Sequence, residues 1–194
     1  FFASYSSISS GVKGLKISVI DLREVKEKIK ETEVFYMREL EIEAPSMSFY
    51  FEGGLMSLIR FYNQNQKPIH KNIFYIEKAN ENFEGVEVAL QYVDDITARV
   101  MPFANNIYTI EGGTHISGFR TALTRSLNDY ARREGFLKEK EENFTGDDVR
   151  EGLTAVVSVK IRTPQFEGQT KAKLGNPEAK NAVEAAVSEG LSDF

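Results

Sequence analysis

Gln169, Thr170 and Lys171 set an amide, a hydroxyl and an ammonium side by side. All three are hydrogen-bond donors, and a phosphate tail accepts from each kind. They stand in the stretch PQFEGQTKAKLG, residues 164–175, which follows an apolar run ending at Ile161. Pro164 ends a strand ladder, and Gly168 lets the backbone turn tightly or approach a ligand closely. A solvated turn with a surface lysine has the same composition. Spacing alone leaves both readings open.

Other residues could also do chemistry. Glu52-Gly53-Gly54 and Glu111-Gly112-Gly113 each precede a helical pattern, where an anion could sit at the helix start. Neither fits a phosphate-loop pattern, so a steric role at strand-to-helix corners is the simpler reading. His115 beside a helix start has no serine, cysteine and acid constellation around it, which favours a structural or hydrogen-bonding histidine. Asp147, Asp148 and Glu151 could hold magnesium, yet acids in the first turn of a helix are accounted for by capping and the helix dipole. Arg120, Arg125, Arg132 and Arg133 share one helical segment with an apolar stripe between them; they read as a solvated face or as a basic wall toward nucleic acid.

The elements that must position these residues follow from periodicity. Leu15, Ile17 and Val19 alternate as in a half-buried strand, and residues 48–51 form another before a helix carrying Leu55, Leu58, Ile59 and Tyr62. Residues 23–43, dense in Glu and Lys, fit a charged helix or a β-ribbon equally. Strands are expected at 72–77 and 86–92, joined as a hairpin, and at 97–103 before a loop at Asn105-Asn106. Ile116, Phe119, Leu123, Leu127, Tyr130 and Ala131 repeat at helical spacing, with Thr114 or a neighbour as the cap. A short capped turn at 145–152 runs into a strand at 153–161, and an alanine-rich helix at 181–191 closes the chain. This succession is α+β or α/β.

With 194 residues, 41% apolar and 27% charged, the chain has the composition of one soluble globular domain able to bury a sizeable core. Without cysteine it has no disulfides, thiolate metal sites or thiol catalysis, and its two histidines, His70 and His115, make a histidine-rich metal site improbable. No apolar run reaches the length of a membrane span and no signal-peptide start is present, so a cytoplasmic protein without membrane contact is expected. The net charge of −5 argues against a surface that coats nucleic acid throughout but leaves room for a local basic patch. The first residue is Phe1 rather than methionine, as in a fragment of a longer polypeptide.

Taken together, several motifs resemble the B subunits of bacterial type IIA topoisomerases, those of DNA gyrase and of its topoisomerase IV counterpart. They are EGGTHISGFR at 111–120, TRSLN at 124–128, TGDDVREGL at 145–153 and PQFEGQTK at 164–171 with LGN at 174–176. PIHKNI at 68–73, YFEGG at 50–54 and VEVALQY at 86–92 fit the same family. The match runs from Phe49 to the C-terminus in order and spacing.

The resemblance implies the transducer domain that follows the family's ATPase domain. It implies an α+β fold like domain 2 of ribosomal protein S5, with helices packed on a β-sheet and a left-handed β-α-β crossover. Residues 1–14 would be a lead-in from an absent ATPase domain, and 15–194 the transducer, with a charged insertion at about 23–46. ATP with magnesium would be bound mainly by that absent domain, while Gln169 and Lys171, with Thr170 between them, reach the γ-phosphate and Lys171 stabilises charge during hydrolysis. Arg120, Arg125 and Arg132 would line a cavity for transported DNA. The implied partners are DNA, the topoisomerase A subunit, the chain's own ATPase domain and a second copy of the B subunit in a homodimer.

The family's general base, its magnesium-binding asparagine, its Asp-x-Gly-x-Gly motif and its DNA-cleaving residues are all missing from this stretch. The chain alone is therefore expected neither to hydrolyse ATP appreciably nor to cut DNA. The quoted motifs do not separate gyrase from topoisomerase IV. An S5-like interaction module of a related chaperone or mismatch-repair ATPase is the alternative, and a free-standing RNA-binding domain a third reading that the acidic balance disfavours.

Overall fold

The computed structural model describes residues 16–20, 46–50, 53–79 and 85–194. The lead-in and nearly all of the charged segment, where the expected insertion falls, lie outside the described residues. Strands β1 (Lys16–Ile20) and β2 (Ser46–Tyr50) flank that segment and pair antiparallel, with Lys16 opposite Tyr50 and Ile20 opposite Ser46.

The main sheet has the order β3-β4-β8-β5-β6. Its strands are β3 (Phe74–Lys78), β4 (Gly85–Tyr92), β5 (Arg99–Ala104), β6 (Ile107–Tyr108) and β8 (Leu153–Lys160). β4 runs antiparallel to both β3 and β8, whereas β5 lies parallel to β8. A parallel neighbour needs a crossover, and here it carries the long helix α2 (Thr114–Arg133), making a β-α-β unit. β5 turns into β6 through Asn105 and Asn106, both at positive φ, a backbone that asparagine tolerates better than most residues.

Side chains alternate across the sheet. Val88 and Leu90 on β4 and Ala155 and Val157 on β8 point to one face, which α2 and the closing helix α3 (Pro177–Asp193) cover with Phe119, Leu123, Val183 and Val187. Ala89, Val156, Met101 and Phe103 point to the other, covered by α1 (Leu55–Tyr62) through Leu55, Leu58 and Ile59. With helices on both faces β8 is buried over seven of its eight residues, which is why its sequence is a run of apolar residues rather than an alternation. Each fully buried leucine or isoleucine contributes about 1.5–3 kcal/mol.

The expected α+β architecture is present, and one local expectation is corrected. The cap position of α2 falls on Gly113, the neighbour of Thr114, with no side-chain cap bond, and Thr114 Oγ1 donates to the Asn176 carbonyl. α3 begins at Pro177, four residues before the expected start at Asn181, because proline at the first helical position loses no hydrogen bond there. The turn at 145–152 is a short 3₁₀ turn, Asp148–Arg150. Thr145 N and Oγ1 both donate to Asp148 Oδ2 at 2.7 Å, and Asp148 N donates back to Thr145 Oγ1 at 3.2 Å. These bonds hold the Asp148 carboxyl below its ordinary range and account for that acid by capping.

Candidate functional site

After β8 the chain forms a small hairpin, β9 (Phe166–Glu167) and β10 (Lys173–Leu174), which pair antiparallel. Its root is locked to the start of α2. β10 runs parallel to β7 (Gly112–Gly113), Leu174 opposite Gly113, and Glu111 N donates to the Ala172 carbonyl at 2.9 Å. Gly113 has φ 135°, and a Cβ placed there would fall on the Leu174 backbone, so the second EGG triplet serves a close backbone approach.

Asn176, only 1% exposed, sews the root together. Its Oδ1 accepts from Gln165 N at 2.6 Å, its Nδ2 donates to the Thr163 carbonyl at 3.1 Å, and its own carbonyl receives the Thr114 hydroxyl at 2.6 Å. The motif match carried Asn176 without a role. The triplet Asn176-Pro177-Glu178 was the available signal, since asparagine followed by proline and an acid marks a helix start.

The tip is the reverse of the root. Gln169, Thr170 and Lys171 are all exposed, and the turn closes weakly through Lys171 N to the Gly168 carbonyl at 3.4 Å. Gly168 has φ 75° and Lys171 φ 54°, a left-handed backbone that a residue with a Cβ adopts at some cost. The Lys171 ammonium lies 5.7 Å from the centre of the Phe166 ring, a cation-π contact that steadies the side chain without consuming its hydrogen bonds. Lys173 Nζ, by contrast, is paired with Glu167 Oε2 at 3.0 Å.

Below the hairpin a cavity of about 480 Å³ is bordered by Glu111, Ser117, Arg120, Glu167 and Lys173. Arg120 is exposed and has no ion-pair or hydrogen-bond partner among the described residues. Arg125 bonds Glu184 Oε1 and Ser188 Oγ on α3, both at 2.9 Å. Arg132 holds the loop after α2 through the Asn143 side chain and the Lys138 and Glu141 carbonyls. Arg125 and Arg132, seven residues apart, share a helical face that Arg120 does not. The structure thus brings Gln169, Thr170 and Lys171 together, sets Arg120 under their hairpin, and engages the other two arginines elsewhere.

His115 is fully buried. Thr109 Oγ1 lies within reach of the Pro102 carbonyl and of His115 Nε2, both at 3.4 Å. His115 Nδ1 is buried without a hydrogen-bond partner. Burial pushes its pKa down to about 4. It is a neutral core residue.

Comparison with known proteins agrees with this architecture. Residues 54–194 match the family described as DNA gyrase B. The B subunit of DNA gyrase from Clostridium acetobutylicum is 46% identical over 182 residues, covering 94% of this chain and 26% of that protein. Its counterpart from Halalkalibacterium halodurans is 45% identical with the same coverage. Among solved structures, the 43K ATPase domain of Thermus thermophilus gyrase B, in complex with an aminocoumarin, superposes with a TM-score of 0.75 at 34% identity, covering 99% of this chain and 46% of that one. The B subunit of DNA gyrase from Myxococcus xanthus, at 21% identity and a TM-score of 0.74, shares the fold. A mixed α+β sheet carrying these motifs defines a B-subunit region of bacterial type IIA topoisomerases. Within that class, the chain belongs to the DNA gyrase B family, and it spans about a quarter of the length of the curated relatives named here.

Proposed function

We propose that this chain is the transducer of an ATP-dependent type II DNA topoisomerase in the cytoplasm, coupling ATP binding and hydrolysis to dimer closure and strand passage. The observation that carries the reading is the contrast within one hairpin. Three donors stand exposed at a tip, while the root is tied by backbone pairing and by Asn176 to the start of α2.

Bound ATP with magnesium, held mainly by the ATPase domain outside this chain, supplies the phosphoryl group and the energy of its hydrolysis. The residues present fit a phosphate. Lys171 has an uncommitted ammonium, Gln169 and Thr170 add neutral donors, and no acid bonds any of the three among the described residues. Gln169 and Lys171 then grip the γ-phosphate, and the Lys171 charge stabilises the transition state. The same contacts hold the tip in place only while the terminal phosphate is there. Because β10 shares a ladder with Gly112–Gly113, a shift of the tip passes to α2, and through the α2 contacts to α3.

Arg120 is the best placed of the three arginines to meet DNA, since its guanidinium has no partner among the described residues; Arg125 and Arg132 add charge while their bonds hold α3 and the loop. The topoisomerase A subunit, the ATPase domain and a second copy of the B subunit complete the proposed assembly.

Replacing Lys171 with alanine in the full-length protein tests the proposal. The ATPase rate falls by about a hundredfold or more while nucleotide binding is largely kept. A rate near that of the parent protein would reduce the hairpin tip to a surface turn.

A further inference from the structure

Asn176 stands one residue before α3, where an asparagine side chain ordinarily accepts from the first N–H groups of its own helix. It makes no such bond. Its side chain turns back to the foot of the hairpin, eleven residues away in sequence, where Oδ1 accepts from Gln165 N. The start of α3 manages without it, since Pro177 has no N–H to satisfy and Glu178 sets a negative charge in the first turn. A side-chain cap contributes about 1 kcal/mol to a helix, so an asparagine turned away from that position is engaged in something else.

Both protons of the Asn176 amide are committed. Nδ2 donates to the Thr163 carbonyl at 3.1 Å and to Glu178 Oε1 at 2.7 Å. The second bond holds the Glu178 carboxyl below its ordinary range, so that group is ionised at neutral pH and only accepts. With acceptors on one side and the Gln165 N–H on the other, the amide has a single orientation. It grips the chain on both sides of Pro164, at the bend between the exit of β8 and the start of β9.

The two strands of the hairpin are braced differently. β10 lies between β7 and β9, whereas β9 is the outer strand. Past β10, the outgoing strand reaches the body of the molecule through the Asn176 amide and through the half-buried Phe166 ring, which packs on the core. An extended chain from Gln165 to Gln169 spans about 13 Å, so a tilt of about 10° at the foot moves the donors by about 2 Å. A misplacement of about 1 Å already costs a reacting geometry about a hundredfold.

We propose that Asn176 is the positioning residue of the 169–171 tip: its amide fixes the angle at which β9 leaves the body, and so where Lys171 meets the terminal phosphate. That role rests on the tip being a phosphate grip. Asn176 touches no reacting atom and acts through Lys171. The same residue ties the angle of the tip to the first turn of α3 through Glu178, and to the first turn of α2 through the Thr114 hydroxyl on its carbonyl.

ATPase and nucleotide-binding measurements on the full-length protein test it, with Asn176→Ala, Lys171→Ala and the two combined. Asn176→Ala lowers kcat by about tenfold or more and leaves the nucleotide Kd within about twofold. Added to Lys171→Ala, it lowers the rate by less than about twofold, since no ammonium is left to aim. An equal fold loss in both backgrounds overturns the proposal, as does a parent-like kcat for Asn176→Ala beside a slow Lys171→Ala. A parent-like rate for Lys171→Ala alone overturns the phosphate grip itself and this role with it. Should Asn176→Ala fail to fold, Asn176→Asp decides. The new carboxylate keeps an acceptor for Gln165 N but faces the Thr163 carbonyl and the Glu178 carboxylate, and a proton on it restores one donor. Its kcat relative to the parent at the same pH therefore rises several-fold from about pH 8 to about pH 6. A flat ratio overturns the proposal.

Discussion

Lys171 shows what one residue gives up for its position. Its backbone is left-handed and its side chain leans on Phe166, when an extended turn with a free lysine would relieve the backbone. Such local cost is commonly found where geometry serves a task. His115 presents the opposite case, a titratable group whose chemistry is suppressed. Its pKa is about 4 in the fold and near 6.5 in an unfolded chain, so the unfolded state binds more protons between those values. Stability is therefore complete above about pH 6.5 and is lost as the pH falls toward 4, by about 3 kcal/mol in all. Urea unfolding at pH 7.5, 5.5 and 4.5 checks this. Replacing His115 with glutamine, which does not titrate, removes that part of the slope.

At the level of elements, the proposed coupling rests on the ladder between β10 and β7. Gly113→Ala brings a Cβ onto the Leu174 backbone and also asks a non-glycine residue to hold φ 135°. We expect a loss on the order of 3 kcal/mol, read by thermal unfolding, and faster amide exchange at Leu174. An unchanged melting temperature would mean the ladder is dispensable.

This joint was hidden in the sequence for a physical reason. Two-residue strands are too short to carry a periodicity, so nothing in Gly112–Gly113 or Lys173–Leu174 announces that they pair. β4, β8 and α2 were legible because each is long enough to display its pattern and is packed against the core along its length. The donors at 169–171 were legible as chemistry, while their placement at the end of a braced hairpin was not. Nor was the tie between Arg132 and the loop after α2, since an arginine on a helix looks the same whether it meets solvent or backbone carbonyls.

Across the whole molecule, α2 and α3 act as one slab. Gly118 lets the two helices touch, because a Cβ there would run into the Lys180 carbonyl, and Arg125 bolts them again further along. Arg120 projects from this slab beside the hairpin. Arg120→Glu in the full-length protein should slow strand passage several-fold while nucleotide binding is kept, because the reversed charge repels phosphate. Supercoiling assays next to nucleotide binding measure both. An unchanged strand-passage rate would remove Arg120 from the DNA path.

The parallel pairing of β5 with β8 joins stretches separated by some fifty residues, Arg99 meeting Thr154 and Ala104 meeting Val159. On a ribosome that separation becomes a waiting time. The β3–β4 hairpin closes as soon as it emerges, yet the apolar flank of β4 stays uncovered until residue 160 has been made. A nascent chain halted before Leu153 should therefore aggregate or engage chaperones, whereas one extended past α3 should not, a difference visible by sedimentation of released fragments.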